Sequence, residues 1–146
     1  MTLYLDTSSL VKLYIAEPGS DAVRRLVNQA IVVATSAIAY PETRAALARR
    51  RRERALSPAA FAFATRAFED DWSRYLAVDV SASICREAGG LAERYRLRGY
   101  DSVHLASYLE VARRAGARET RFSSFDQRLN RAARAAVRTM ARPGRL

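Results

Sequence analysis

Four carboxylates stand where they could take part in chemistry: Asp6, Glu42, Asp101 and Asp126. Each lies at the end of a predicted strand or near the start of a predicted helix. Carboxylates that lie close together cannot all stay ionised unless a cation neutralises them. A cluster of these four would therefore indicate a metal site. Taken singly, the aspartates could instead cap helices, and Glu42 could pair with Arg44, so the spacing alone leaves open whether the four converge.

The kind of metal follows from the residue types that the sequence almost lacks. The chain has one histidine, His104, and one cysteine, Cys85, which excludes an internal disulfide and zinc sites of the His/Cys type. Oxygen ligands favour a hard cation such as Mg²⁺ or Mn²⁺. A pair of such ions about 3.5–4 Å apart can support phosphodiester cleavage. We interpret His104, one turn after Asp101 among apolar neighbours, as partly buried structure and do not count it in the site.

The charge balance indicates a polyanionic partner. Lysine and arginine number 25 against 15 acidic residues, a formal net charge of +10. Such an excess favours nucleic acid, because each neutralised phosphate releases counterions. Alternatively, it reflects the base composition of the genome and keeps the protein soluble. Asp6 and Lys12 interrupt the apolar N-terminal stretch, so we expect neither a signal peptide nor a membrane span. We therefore expect the protein to be cytoplasmic.

The elements that must position these acids alternate along the chain. Strands are predicted at 3–5, 31–33, 76–80 and 120–123, with a further short edge strand at 137–140. Helices are predicted from 7–9 to before 18–19, and at 20–29, 36–54, 58–74, 81–96, 101–115 and 126–136. Within them, Pro41 should kink or restart a helix, and Gly89-Gly90 is a weak point.

Such alternation is typical of an α/β fold in which helices cover both faces of a mostly parallel sheet. We expect a single domain over residues 1–146. In open sheets of this kind, ligands bind at the carboxyl ends of the strands. Asp6 and Asp126 follow predicted strands, which places them at that edge.

Four segments of the sequence resemble the PIN-domain ribonucleases, specifically the VapC-type toxins of toxin–antitoxin pairs. Residues 3–14 (LYLDTSSLVKLY) are similar to the family's opening strand and first acid, and residues 36–47, with Tyr40-Pro41-Glu42, to the segment with the second. Residues 97–106 (LRGYDSVHLA) are the most specific match and carry the third. Residues 122–129 (FSSFDQRL) are similar to the closing segment, where the family often has Thr at the position of Ser124.

The resemblance implies a three-layer α/β/α sandwich and an Mg²⁺- or Mn²⁺-dependent endonuclease that cleaves RNA. It gathers Asp6, Glu42, Asp101 and Asp126 into one acidic site. Asp6 and Asp101 are expected to bind the better-occupied ion, Glu42 to act through a water or a weaker second ion, and Asp126 to complete the shell. Whether one or two ions bind stays open. The hydroxyls expected to support the site are Ser8 and Ser124.

The resemblance also implies partners: a small antitoxin that blocks the site, a second copy of the chain in a homodimer, and operator DNA bound only together with the antitoxin. The basic run 49–54 could follow the RNA backbone, form a solvated helix end or meet an acidic antitoxin segment. The aromatic helical face of Phe61, Phe68, Trp72 and Tyr75 is by default core. Alternatively, it forms a dimer surface or a groove for an antitoxin helix.

Three other functions fit the sequence less well. Phosphotransfer at Asp6, as in haloacid-dehalogenase-type phosphatases, needs a second acid where Ser8 stands. A receiver-type phosphoacceptor domain expects a late lysine, whereas Lys12 is the one lysine in the chain. A PIN-like RNA-binding module with an inactive site, acting through its antitoxin partner, is the main alternative. The presence of all four acids argues against it.

Overall fold

The computed structural model describes residues 1–140 and has a four-stranded parallel sheet at its centre. The strands are β1 (Thr2–Leu5), β2 (Val32–Ser36), β3 (Leu76–Val78) and β4 (Thr120–Ser123), in the spatial order β3-β2-β1-β4. Leu3, Tyr4 and Leu5 of β1 are fully buried. β1 pairs with β2 on one side and with β4 on the other, so this apolar run forms the middle of the sheet.

Helices occupy the intervals between the strands. They are α1 (Thr7–Leu10), which a 3-10 turn over Val11–Leu13 extends, α2 (Ser20–Gln29), α3 (Ala39–Arg52), α4 (Pro58–Trp72), α5 (Ala82–Tyr95), α6 (Gly99–Ala115) and α7 (Gln127–Met140). Two of them begin as their sequences predict. The hydroxyl of Ser57 accepts the amide of Ala60 at 3.1 Å, and that of Ser81 accepts the amide of Ile84 at 3.2 Å.

The side chains of β1 alternate between two apolar clusters, one on each face of the sheet. Tyr4 packs among residues of α6 and α7, including Leu105 and Leu129. Leu3 and Leu5 point the other way and pack with α1, α2 and α4, where Phe68 is fully buried. The predicted three-layer α/β/α arrangement around a parallel sheet is therefore confirmed.

Two predictions about the backbone are wrong. Pro41 does not kink or restart a helix, because it is the third residue of α3 and lies in the first turn, where a missing amide donor breaks no hydrogen bond of the helix. Residues 137–140 do not form an edge strand. They are the last turn of α7, whose buried Leu129, Ala133 and Ala136 pack on the sheet at helical spacing.

Other element ends differ from prediction by a few residues. The first helix ends at Leu13 rather than near Pro18, because Val11 and Ile15 pack against Leu47 of α3 instead of continuing a helix. Ser36 is the last residue of β2, not the cap of α3, although its hydroxyl still accepts the amide of Ile38 at 3.3 Å. The third strand ends at Val78 rather than at residue 80.

Helix α5 runs unbroken through Gly89-Gly90. Its buried Ile84 and Ala88 pack against Ala106 of α6, and this tertiary contact outweighs the low helix propensity of glycine. No helix within residues 1–140 is both long and apolar enough to cross a membrane.

Candidate active site

Asp6 lies at the carboxyl edge of the sheet, directly after β1. In the register of β1 and β4, Leu5 is opposite Ser123, and the amide of Asp6 donates to the carbonyl of Ser123 at 3.2 Å. The residue after Ser123 therefore comes to lie beside the side chain of Asp6. The short parallel pairing of the two strands joins residues that are more than a hundred positions apart in the chain.

The Asp6 carboxylate is buried, with 4% of the residue exposed, and it accepts three hydrogen bonds. Oδ1 accepts from the hydroxyl of Ser8 at 2.7 Å and from the amide of Ser9 at 3.0 Å, so Asp6 also caps α1. Oδ2 accepts from the hydroxyl of Ser124 at 2.6 Å. Burial raises the pKa of Asp6 in spite of these bonds. The two hydroxyls that the sequence predicted as supporters both contact this carboxylate.

Asp126 shares one of these supporters. Its amide donates to the hydroxyl of Ser124 at 3.0 Å, so this hydroxyl bridges the side chain of Asp6 and the backbone of Asp126. Oδ1 of Asp126 accepts the amide of Leu129 at 3.0 Å and caps α7. The carboxylate of Asp126 thus has a structural role in addition to any that it has in chemistry.

Glu42 lies in the first turn of α3 and is held by two side chains. Its Oε1 accepts from the hydroxyl of Thr7 at 2.7 Å and lies 2.8 Å from Nε2 of His104. Burial by itself would raise the pKa of Glu42, but the hydrogen bonds from His104 and Thr7 outweigh it and leave the pKa lowered. Since Thr7 follows Asp6 directly, this contact ties Glu42 to the same edge of the sheet.

His104 is a residue of this site that the sequence interpretation left out. It is 2% exposed, and its Nδ1 lies 2.9 Å from the hydroxyl of Tyr4 in the central strand. The network is satisfied when Nε2 carries the proton and donates to Glu42, while Nδ1 accepts from Tyr4. The available signal was its position three residues after Asp101, which puts both on one side of α6. The sequence interpretation expected a partly buried His104, whereas the structure buries it almost fully, with its Nε2 directed at Glu42.

Asp101 is the least constrained of the four acids. It lies in the first turn of α6, one turn before His104, and its side chain is 23% exposed. Its Oδ2 pairs with the guanidinium of Arg98 at 3.4 Å, and the Arg98 side chain is 82% exposed. A pair so open to solvent contributes little to stability. Asp101 therefore stays available to an ion or a substrate.

The four acids do not form one tight cluster, and hydrogen-bonded neighbours link only three of them, whereas Asp101 pairs with Arg98. Asp6 and Asp126 are joined by Ser124, Glu42 is joined to the strand end through Thr7, and Asp101 stands one turn from His104. Within residues 1–140, no three histidine, cysteine or carboxylate side chains are gathered closely enough to hold one ion by themselves.

This donor set nevertheless fits Mg²⁺ or Mn²⁺. Mg²⁺ is usually bound by one or two carboxylates, with waters and substrate phosphates as its other ligands. A carboxylate has about four lone-pair sites, of which Asp6 uses three in hydrogen bonds to protein. Both bonds to Glu42 end on Oε1, so within the described residues Oε2 stays open.

Two features outside this edge were given alternative interpretations from the sequence. In the basic run, Arg49 pairs with Glu53 at 2.8 Å and Arg50 with Glu17 at 2.8 Å, so part of its charge is already compensated. In the aromatic face, Phe68 is fully buried, and Trp72 and Tyr75 are partly buried against its cluster. Core packing therefore accounts for most of that face.

Comparisons with known proteins agree with this architecture. The family model for the PIN domain matches residues 3–135. The chain is 41% identical to Ribonuclease VapC45 of Mycobacterium tuberculosis over 109 aligned residues. The alignment covers 75% of this chain and 76% of that protein. It is 33% identical over 138 residues to Ribonuclease VapC46 of the same organism, which covers 90% of each.

A solved structure shows the same fold. The crystal structure of Mycobacterium tuberculosis VapC20, described as a toxin that cleaves the sarcin–ricin loop, superposes with a TM-score of 0.64. The alignment covers 89% of this chain and 94% of that one, at 22% sequence identity.

Proposed function

Since this chain belongs to the PIN-domain family and is related to the VapC ribonucleases, we propose that it is a metal-dependent endoribonuclease. In this proposal it cleaves RNA phosphodiester bonds and is the toxin of a toxin–antitoxin pair. The relatives named as ribonucleases support the activity, and the formal net charge of +10 supports a polyanionic substrate.

The observation that carries the metal part of the proposal is the state of Asp6. This carboxylate is 4% exposed, and its donors in the part of the chain that the structure describes are hydroxyls and an amide, all of them uncharged. Burial disfavours the ionised form of a carboxylate that no positive charge compensates, and it therefore raises the pKa of Asp6. A divalent cation would supply the missing positive charge.

In the proposed site, Asp6 and Asp101 hold the better-occupied Mg²⁺ or Mn²⁺, Glu42 acts through a water or a second ion, and Asp126 completes the shell. When bound, the ion would lower the pKa of a water and neutralise charge that develops at the phosphate. Ser8 and Ser124 orient Asp6, since each of its oxygens accepts one hydroxyl. No nucleophilic side chain is required.

The contacts of Glu42 fix the position of its free oxygen. The Nε2 proton of His104 and the hydroxyl of Thr7 hold Oε1, and the Tyr4 hydroxyl holds the other side of the imidazole. This chain of hydrogen bonds runs from the middle of β1 to α3. Because these bonds occupy Oε1, Oε2 is the oxygen of Glu42 that can accept a proton or contact a hydrated ion.

The partners in this proposal are an antitoxin protein that blocks the acidic edge and a second copy of the chain. Operator DNA is bound only by the toxin–antitoxin complex, and the protein acts in the cytoplasm. We propose that one domain with these functions spans residues 1–146, of which residues 141–146 lie outside the described part of the chain. The family membership supports these partners. Size measurements on the chain with and without its antitoxin would test whether it pairs with a second copy and with the antitoxin.

Purified protein incubated with total RNA in Mn²⁺, and separately in EDTA, tests the activity. We expect new RNA ends in Mn²⁺ and intact RNA in EDTA. Asp101→Asn should abolish the cleavage, which would exclude a contaminating nuclease, whereas Asp70→Asn, a change at an exposed aspartate of α4, should leave it unchanged. RNA that is bound but survives equally in both buffers would instead support the inactive RNA-binding module.

A further inference from the structure

Exposed aromatic rings are few among residues 1–140, and two of them belong to residues that directly precede a site acid in the chain. Of 7 tyrosines, 5 phenylalanines and 1 tryptophan, the exposed ones within residues 1–140 are Phe63, Tyr100 and Phe125. Tyr100, 64% exposed, directly precedes Asp101, and Phe125, 45% exposed, directly precedes Asp126. Phe63 lies in α4, which carries none of the four acids. The site acids are thus flanked by rings that packing of the core does not explain.

The backbone of Phe125 is anchored to the site itself. Its amide donates to the hydroxyl of Ser8 at 2.9 Å, and the same hydroxyl donates to Oδ1 of Asp6 at 2.7 Å. One hydroxyl therefore fixes both the buried carboxylate and the residue that carries the exposed ring. Through this hydroxyl the backbone of Phe125 is held next to the Asp6 carboxylate.

The Phe125 ring is supported by its neighbours as well. The ring lies where a side chain at Gly19 would be, since a Cβ built there would come 2.7 Å from Cε1. The ammonium of Lys12 lies 4.4 Å from the ring centroid and is itself held by Glu17 at 3.1 Å. A cation at this distance stabilises an aromatic ring electrostatically. Phe125 is therefore an exposed ring in a fixed position.

We propose that Phe125 is a stacking platform for an unpaired nucleobase next to the phosphate at the acidic site, and that Tyr100 offers a second ring to a neighbouring base. Every base has a π-face, so aromatic platforms bind single strands with little dependence on sequence. Bases inside a duplex have both faces covered, so this arrangement selects single-stranded RNA, loops or bulges. The inference rests on the proposed function and specifies the form of its substrate.

RNA binding under conditions that prevent cleavage tests the platform. The probe is a fluorescein-labelled single-stranded RNA of about 12 nucleotides and mixed sequence, within the site size of such binding surfaces, and fluorescence anisotropy is measured in EDTA. We expect Phe125→Leu to weaken binding about tenfold, the loss typical of one base–aromatic stack. Phe125→Tyr should bind like the wild type. Phe63→Leu, the matched change at the exposed ring in α4, should also have no effect.

An abasic scan identifies the base that stacks. Each nucleotide of the probe is replaced in turn by an abasic one, and at one position we expect the wild type to lose affinity while Phe125→Leu loses nothing further. Equal affinity of Phe125→Leu and wild type for the intact probe would overturn the proposal. Equal losses of RNA affinity in Phe125→Leu and Phe63→Leu would also overturn it. The same holds if Phe125→Leu weakens binding of the antitoxin but leaves RNA affinity unchanged.

Two further measurements keep the result interpretable. If Phe125→Leu fails to fold, judged by circular dichroism, then Tyr100→Leu must weaken binding several-fold while Phe125→Tyr matches the wild type; otherwise the proposal is wrong. Binding in EDTA does not depend on catalysis. A wild type that binds RNA but never cleaves it in Mn²⁺ therefore contradicts the proposed activity, whereas loss of the Phe125 effect contradicts the platform.

Discussion

Asp6 and Glu42 are two carboxylates at the same edge of the sheet, and their surroundings change their pKa values in opposite directions. Burial dominates at Asp6 and raises its pKa. At Glu42 burial acts in the same direction, but the hydrogen bonds from His104 and Thr7 outweigh it, and the pKa is lowered. The difference lies in the partners: hydroxyls and an amide at Asp6, an imidazole and a hydroxyl at Glu42.

This contrast assigns different needs to the two groups. Glu42 is already stabilised in its ionised form by the protein, and its side chain remains 27% exposed. Asp6 is almost fully buried and, among residues 1–140, has no basic side chain as a hydrogen-bond partner. A metal ion would therefore benefit Asp6 more than Glu42. Substitutions that remove one charge or one hydrogen-bond partner at a time test this difference between Asp6 and Glu42.

The largest expected effect is on catalysis. Asp6→Asn should reduce the rate of RNA cleavage in Mn²⁺ by on the order of 10³-fold, the loss typical of removing a preorganised electrostatic group. Glu42→Gln should reduce it by about 10- to 100-fold, since we place Glu42 at one remove from the ion. Initial rates of cleavage of a labelled RNA measure both. A larger loss in Glu42→Gln than in Asp6→Asn would reverse the proposed assignment of roles.

Removing the partner of Glu42 should affect stability next. His104→Leu leaves Oε1 of Glu42 without its imidazole donor and the buried hydroxyl of Tyr4 without its partner. We expect a loss of about 2 kcal/mol in the free energy of unfolding, since hydrogen bonds to charged groups contribute about 1.5–3 kcal/mol. Urea denaturation at neutral pH in EDTA measures it.

A double-mutant cycle separates this interaction from the loss of packing. His104→Leu combined with Glu42→Leu should destabilise the protein by less than the sum of the two single changes, because the double variant leaves no unpaired carboxylate. Strict additivity of the two losses would show that the imidazole does not stabilise Glu42. The contrast with Asp6 would then rest on the difference in burial and on the hydrogen bond from Thr7.

Metal binding should distinguish the two carboxylates without any need for activity. At Mn²⁺ concentrations a hundredfold above its Kd, the ion should stabilise the wild type by about 2.7 kcal/mol. Thermal melting should show most of that gain in Glu42→Gln and none in Asp6→Asn. Asp70→Asn controls for non-specific binding at the surface. Equal gains in all three variants would contradict a site at Asp6.

The sequence predicted the four strands of the sheet to within a few residues, and for β1 the signal is the local apolar run Leu3-Tyr4-Leu5. It also placed Asp6 correctly, since a residue that follows the central parallel strand must lie at the carboxyl edge. Residues 137–140 show the limit of such patterns, because their apolar composition fits a strand and the last turn of a helix equally well. Contact with the rest of the core decided between them.

The partners of the acids could not be predicted, because they come from distant parts of the chain. His104 reaches Glu42 across 62 residues, and Ser124 reaches Asp6 across 118. Local spacing carries no information about such pairs. The resemblance to a family supplied Ser124 as a supporter, but only the register of β1 and β4 shows which carboxylate it contacts.

The smallest expected effect comes from the hydroxyl of Ser124, which orients Asp6 without carrying charge. Ser124→Ala removes the donor to Oδ2 of Asp6 and the acceptor of the Asp126 amide, so cleavage should fall about tenfold, at the lower end of the losses for groups that orient metal ligands. Ser124→Thr retains the hydroxyl and should remain within about twofold of the wild type on the same scale. Steady-state cleavage rates of both variants in saturating Mn²⁺ measure this. Equal activity of the alanine and threonine variants would mean that the Ser8 hydroxyl and the Ser9 amide alone orient the Asp6 carboxylate. In that case Asp6 would differ from Glu42 by its burial rather than by its hydrogen bonds.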